Sequence, residues 1–387
     1  MKSIRTASDL AIHGAPPAFA EIVHVGRPNM GSRARFGELV ARIFENRWVT
    51  NHGPYVLELE ERLAERMGVR HCVCICNGTL ALEIAIRAVG LSGEVIVPSY
   101  TFIATAHALS WQGITPVFAD IDPVTHNLDP AAVRRMITPR TSGIIGVHLW
   151  GRPAPHAELA EIAREHRLQL IYDAAHAFGG SLDGIRIGGL GRCEVFSFHA
   201  TKVYNTFEGG AVATNDDELA QTVRLMRNFG FSGYDNVIYP GTNGKMTEIC
   251  AAMGLVNLEC LPQFVAANRA NHQRYQRAFD GIAQLALLDY DPAHSPNYQY
   301  IVIELLPGYA TPRDQVVAAL NAENILARKY FWPGCHRMQP YRGLYPHAGL
   351  MLPHTQALAD RVIVLPNGPE LPEACIGTIA DIVRLLA

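Results

Sequence analysis

The run 195–214 constrains this chain more than any other stretch. It opens on an apolar segment, Val195-Phe-Ser-Phe198, and closes on another, Gly210-Ala-Val-Ala-Thr214, and both read as short buried strands. Between them stands one cation, Lys202, flanked by Ser197, His199, Thr201 and a Gly-Gly pair. A fold that buries both strands either carries this lysine inward or lets its stem snorkel out of a strand end. Burial penalises the ammonium form and lowers the pKa, which frees the amine to attack a carbonyl carbon and form an imine.

Strand, loop and helix alternate through the rest of the first half. Ser32 is placed to cap a helix bearing Phe36, Leu39, Val40, Ile43 and Phe44; the loop 48–54 follows, then a helix through Leu59, Leu63 and Met67. Strands are expected at 72–76, 94–98, 115–121, 141–148 and 169–172, with a helix opening at Tyr100. This repetition predicts an α/β fold with a mostly parallel sheet and helices on both faces. Ligands of such sheets collect beyond the carboxyl ends of the strands, and Gly78, Phe102, Asp173 and Lys202 all fall at or just past those ends. From about 216 the pattern turns helical, with an apolar helix over 249–261 continuing over 265–279. A smaller α/β domain follows, with a strand at 298–305 and a helix at 313–321. The expected division is a large domain over 1–260, N-terminal segment included, and a small C-terminal domain over 261–387.

Composition narrows the partners. A net charge of −3 leaves no basic footprint for nucleic acid. No signal peptide and no stretch long enough to span a membrane stand out, so a cytoplasmic protein is expected. Charged residues make up 18% of the chain, which hints that some surface is buried in an oligomer. The eight cysteines read as reduced thiols in that compartment. Cys72, Cys74 and Cys76 alternate, which on a strand puts them on one face; no further ligands follow at metal-binding spacing, so no metal is expected.

Three other segments carry chemistry. Asn77-Gly-Thr79 ends a strand and starts a helix, where free amides and the dipole hold a phosphate, although Gly-Thr alone is more often a plain cap. Asp173 ends an apolar strand, where a carboxylate is costly unless paired or used as a helix cap. His176 lies three residues on and reaches the same face if a turn starts there.

Together these segments resemble a known family. Phe196-Ser-Phe-His-Ala-Thr-Lys202 with Glu208-Gly-Gly210, Asp173-Ala-Ala-His-Ala-Phe-Gly179 and Asn77-Gly-Thr79 are similar to the motifs of the DegT/DnrJ/StrS aminotransferases, which use pyridoxal 5'-phosphate (PLP). The resemblance runs from Trp48 to Asn367. It implies the fold-type I architecture, like that of aspartate aminotransferase, and a homodimer with shared sites. It implies that Lys202 forms the imine with PLP, that Asp173 pairs with the pyridine nitrogen, and that His176 contacts the phenolic oxygen. It gives Phe102 to the ring face, Gly78, Thr79 and Ser197 to the phosphate, and Asn243 to the phosphate of the neighbouring subunit's site. For substrate contacts it offers His199, Lys245, Arg328, Lys329 and Tyr330. The chain departs from the family at Asn77, where serine is commoner, and at Gly244-Lys245, where an aromatic and an arginine are usual. Within the family the chain looks most like the VioA- and DesI-like enzymes that aminate C4 of dTDP-4-keto-6-deoxy-D-glucose, and the resemblance implies L-glutamate as donor. A 3-keto sugar nucleotide as acceptor, and a non-catalytic PLP-fold protein, stand as alternatives. A dehydratase of the same fold would carry histidine at the position of Lys202, and a nicotinamide enzyme would carry a GxGxxG turn that is absent after the first strand.

Overall fold

The computed structural model describes residues 2–387. Its strands are β1 (His71–Ile75), β2 (Glu94–Pro98), β3 (Thr115–Ala119), β4 (Thr141–Val147), β5 (Gln169–Asp173), the short hairpin β6 (Ser181–Leu182) and β7 (Ile185–Arg186), β8 (Glu194–Ser197), β9 (Gly210–Thr214), β10 (Leu285–Leu287), β11 (Ile301–Leu305) and β12 (Val362–Leu365). The helices used below are α1 (Arg33–Asn46), α2 (Pro54–Met67), α3 (Gly78–Ala88), α4 (Ala104–Ser110), α5 (Pro130–Met136), α6 (His156–His166), α7 (Asp217–Met226), α8 (Glu248–Phe279) and α9 (Arg313–Ala322).

Seven strands pair in the order β1-β9-β8-β5-β4-β2-β3. Neighbours from β3 to β8 run parallel, and β9 runs against both β8 and β1. A parallel strand covered on both faces is apolar in its interior, as Val95-Ile-Val97 is, and β2 is buried at all five positions, with Glu94 at its start paired to Arg140. On one face Leu59 and Leu63 of α2 pack with Val133 of α5, Ile162 of α6 and Leu255 of α8. On the other, Leu82 of α3 meets Leu109 of α4 and Val223 of α7.

The expected cysteine face is corrected. Cys72 and Cys74 share one face, but β1 ends at Ile75, and Cys76 packs with the opposite cluster. Among the described residues no cluster of His, Cys, Asp or Glu is arranged to hold a metal. The helix expected from Tyr100 starts at Ala104, which leaves Thr101 and Phe102 in the loop beyond β2.

A second sheet, β10-β11-β12, is antiparallel throughout. It packs with α9 and with Tyr275 and Phe279 from the end of α8. The N-terminal segment lies on this sheet's side: Ile4 and Leu10 join its core and Val23 pairs with Ile325. Buried Glu323 fastens the segment by accepting from the backbone N–H of Ala11 at 2.6 Å, that of Ala18 at 2.7 Å and the Lys2 ammonium at 2.9 Å.

The expected division at 260 falls inside α8, one continuous helix of 32 residues. Pro262 sits on its exposed side, where water can satisfy the carbonyl that loses its partner. By length and composition α8 is also apolar enough to cross a membrane, which corrects the expectation that no stretch is; its inner face, including Ala251, Leu255 and Leu261, is spent on the core.

Candidate active site

Three strand ends meet because glycines leave room for them. A Cβ on Gly78 would lie 2.8 Å from Cβ of Ser197, and one on Gly210 would lie 2.7 Å from backbone atoms of Asn77 and Gly78. The start of α3 therefore sits directly on the ends of β8 and β9. The Asn77 side chain caps α3 by accepting from the Leu80 N–H at 2.8 Å. The amides of Gly78 and Thr79 have no protein acceptor among the described residues and present an open anion site backed by the helix dipole. Ser197, at the end of β8, adds its hydroxyl to the same wall.

Lys202 stands in the loop between β8 and β9, held by its own N–H to the His199 carbonyl at 2.9 Å. Its ammonium lies 3.4 Å from the Tyr300 hydroxyl, which arrives from the second sheet's domain. Burial pulls the Lys202 pKa down from 10.5 to about 8, and the nearby Asp173 carboxylate opposes that shift. Asp173 ends β5 and is held at both oxygens: Thr105 Oγ1 donates to Oδ2 at 2.9 Å and the Ala175 N–H donates to Oδ1 at 3.1 Å.

His176 is buried against Trp150, Tyr300 and Phe331, with its ring 4.5 Å from that of Tyr300. Burial, reinforced by Lys202, holds it well below the usual histidine range, so it is neutral. Its Nδ1 accepts from the Trp150 N–H at 3.3 Å, which leaves the ring proton on Nε2. Phe102 is 56% exposed, an unusual position for a phenylalanine, and lies on the cleft wall with its ring 6.4 Å from that of Phe331. These groups line one cleft of about 710 Å3.

Of the other residues singled out from the sequence, His199 and Tyr330 line the same cleft, and His199 faces Glu208 at 3.5 Å. Arg328 lies beside it, over the Tyr330 ring at 4.9 Å. Lys329 is turned away into an ion pair with Asp314 at 3.2 Å and a cation–π contact with Trp332. Asn243 is exposed on the loop before α8, and Lys245 lies over Phe229 at 4.7 Å; neither lines the chain's own cleft. Sequence reading missed Thr105, Tyr300, Phe331 and Trp150. Thr105 follows Phe102 by one helical turn, a readable spacing, whereas the others come from distant segments that no local pattern connects to the site.

Comparison with known proteins agrees with this geometry. Residues 32–384 match the DegT/DnrJ/EryC1/StrS aminotransferase family. The dTDP-4-amino-4,6-dideoxy-D-glucose transaminase of Escherichia coli is 36% identical over 363 residues, covering 93% of this chain and 97% of the relative. GDP-perosamine synthase of Caulobacter vibrioides is 36% identical over 367 residues, covering 88% of this chain and 96% of the relative. The crystal structure of DesI in the presence of its TDP-sugar product superposes with a TM-score of 0.94 at 49% identity, covering 98% of this chain and 96% of that one. A lysine and a carboxylate facing one cleft beside an open helix start, within a match that spans nearly the whole chain, make this protein a member of the DegT/DnrJ/EryC1/StrS aminotransferase family.

Proposed function

We propose that the chain is a PLP-dependent transaminase that moves an amino group from L-glutamate to C4 of a nucleotide-linked 4-keto-6-deoxy sugar, dTDP-4-keto-6-deoxy-D-glucose. The observation that carries this reading is the Lys202 amine, depressed to a pKa of about 8 in a cleft that also holds Asp173. The names of the relatives support the sugar class.

The residues present fit PLP. The free amides of Gly78 and Thr79, with the Ser197 hydroxyl, suit its phosphate. Asp173 has lone pairs left beyond its two donors, enough to hold the proton of a pyridine nitrogen. Phe102 offers an uncovered aromatic face, and His176 Nε2–H is a donor for the phenolic oxygen. When bound, PLP supplies a carbonyl carbon that condenses with amines and a cationic ring that accepts the electrons left when a C–H bond breaks.

The chain's own groups do the rest. Lys202 Nζ, freed when the donor arrives, takes the proton from the donor's α-carbon and, in the return half, gives a proton to C4 of the sugar. Asp173, oriented by two donors, would hold the ring nitrogen of bound PLP in its protonated form through its negative charge. Phe331 and Tyr300 line the cleft with aromatic surface, and Trp150 packs behind both.

The site is shared in a homodimer of the cytoplasm. This part of the proposal rests on Asn243, which is exposed and outside its own cleft, and on the bare apolar side chains Phe44, Trp48, Val49 and Leu57 along α1, α2 and the loop between them. Incubation of the enzyme with glutamate and a panel of nucleotide keto-sugars, with products identified by mass and NMR, tests the reading. Conversion of the 4-keto sugar supports it; conversion of a 3-keto sugar alone keeps the reaction type and discards the carbon.

A further inference from the structure

A pocket of about 740 Å3 lies apart from the Lys202 cleft and shares no lining residue with it. One wall is a face of α8, on which Leu261, Val265, Arg269 and Gln273 recur at helical spacing. Another is the loop 292–298, between β10 and β11 of the second domain. The large domain adds Arg66 from the last turn of α2 and Arg186 from the β6-β7 hairpin. Three guanidinium groups therefore line one pocket, and no carboxylate does.

Arg66 shows what that arrangement costs. Its Nε is buried and has no acceptor. Burial first, and then the charge of Arg186, pull the Arg66 pKa below the ordinary arginine value, with Tyr204 opposing. A donor taken out of water without an acceptor is costly, and a like charge beside it adds to that cost. In a chain of net charge −3, three arginines gathered without an acid are not the by-product of a basic surface.

An anion in the pocket answers all three charges at once. One phosphate ester carries a charge of about −1.5 to −2 near neutral pH, which falls short of three guanidiniums, and a diphosphate comes closer. Guanidinium forks also match phosphate oxygens in pairs. Beside them Leu261, Pro262, Val265 and Pro292 offer apolar surface for an uncharged body. We propose that this pocket is a second ligand site, separate from the chemistry, for a small molecule bearing a diphosphate, with Arg66, Arg186 and Arg269 on its oxygens. The inference stands on the pocket itself and does not depend on the reaction at Lys202. A ligand held there bridges the large domain and the second one. It also lies against the segment that serves the cleft: Asn297 lines the pocket and donates to the carbonyls of His176 at 2.9 Å and Phe178 at 3.2 Å, and Tyr300, three residues on, reaches Lys202.

Calorimetry on the holoenzyme tests this with two probes, inorganic pyrophosphate and adenosine 5'-diphosphate, against orthophosphate at equal ionic strength. Arg66→Gln, Arg186→Gln and Arg269→Gln are each expected to weaken the tighter probe about tenfold, as for loss of one charge-assisted hydrogen bond. Arg66→Lys is expected to recover part of the loss. Arg269 is exposed on α8, so its variant has no packing to lose, and far-UV circular dichroism shows whether the other variants are folded. Arg328→Gln, beside the cleft, is expected to leave this binding within about twofold of wild type. The tighter probe is also expected to raise the thermal midpoint of the wild-type protein and not that of Arg269→Gln. Equal affinity for the two probes gives the site to the diphosphate alone, and tighter adenosine 5'-diphosphate adds a nucleoside on the apolar wall; either upholds the proposal. No binding of either probe, orthophosphate binding as tightly as pyrophosphate, isotherms of the three Gln variants equal to wild type, or a loss confined to Arg328→Gln overturns it.

Discussion

Lys202 and Asp173 differ in how the protein fixes them, and the difference assigns their work. The lysine has one weak partner, the Tyr300 hydroxyl at 3.4 Å, and burial does most of the tuning. The amine is reactive because it is poorly solvated and free to move. In the cofactor-free protein it deprotonates around pH 8 rather than 10.5. The rate of PLP uptake is therefore expected to rise with pH through about 8 and then flatten; a midpoint near 10.5 would contradict the burial. The same shift makes the cofactor-free fold more stable as pH rises. Between about 8 and 10.5 the unfolded chain binds the extra proton, so ΔG of unfolding increases across that window. Asp173, by contrast, is clamped. Thr105, fully buried and itself 3.1 Å from Thr101, holds one carboxylate oxygen in place. Thr105→Val keeps the shape and removes that donor, and is expected to weaken PLP binding about tenfold in equilibrium dialysis while far-UV circular dichroism is unchanged. His176 shows why a neutral ring suits its place: the backbone N–H of Trp150 occupies Nδ1, so the remaining N–H can only donate.

At the scale of elements, the site exists because β1 and β8 end where β9 begins. The contact that brings them there is glycine against backbone. Gly210→Ala sets a Cβ 2.7 Å from the carbonyl of Asn77 and the nitrogen of Gly78, atoms that cannot rotate away. Its expected effect is displacement of the α3 start, loss of PLP binding by a factor of about one hundred, and destabilisation of about 1–3 kcal/mol by chemical denaturation. A fully loaded Gly210→Ala protein would show that the helix start tolerates the shift. Much of this architecture was legible in the sequence. Apolar runs such as Val95-Ile-Val-Pro98 announce doubly covered parallel strands, and Ser32 and Asn77 cap their helices as their positions suggest. What failed was local detail decided by partners far along the chain. Cys76 looked like a fifth strand residue, yet the strand yields there because the Cys76 N–H bonds to the Gly244 carbonyl, a crossing that alternation cannot reveal. Phe44 continues an apolar helical stripe but is 79% exposed, since its period marks a surface and not the core of this chain. The candidate substrate contacts Lys329 and Lys245 stand against Asp314 and Phe229 within this chain, placements that charge alone does not announce.

Across the whole molecule, the cleft is built from parts that the sequence keeps far apart. Lys202 and Asp173 come from the large sheet and the loop beyond it, Tyr300 and Tyr330 from the second domain, and the N-terminal segment lines a pocket next to the cleft. That last part is fastened by one buried carboxylate, beside the packing of Ile4 and Leu10 and the pairing of Val23 with Ile325. Glu323→Ala leaves the amides of Ala11 and Ala18 and the Lys2 ammonium without their acceptor, and is expected to cost about 3 kcal/mol and to release the segment, read as early proteolytic cleavage before residue 30. Wild-type resistance in that variant would show that apolar packing of Ile4 and Leu10 suffices. The chain holds only four lysines, Lys2, Lys202, Lys245 and Lys329, so the claim that organises the whole molecule can be read from one mass spectrum. Holoenzyme is reduced with borohydride, digested, and its peptides are mapped. The cofactor's added mass is expected on Lys202 and on no other lysine; a stable adduct at Lys245 or Lys329, or none anywhere in a fully loaded protein, would contradict the role of Lys202.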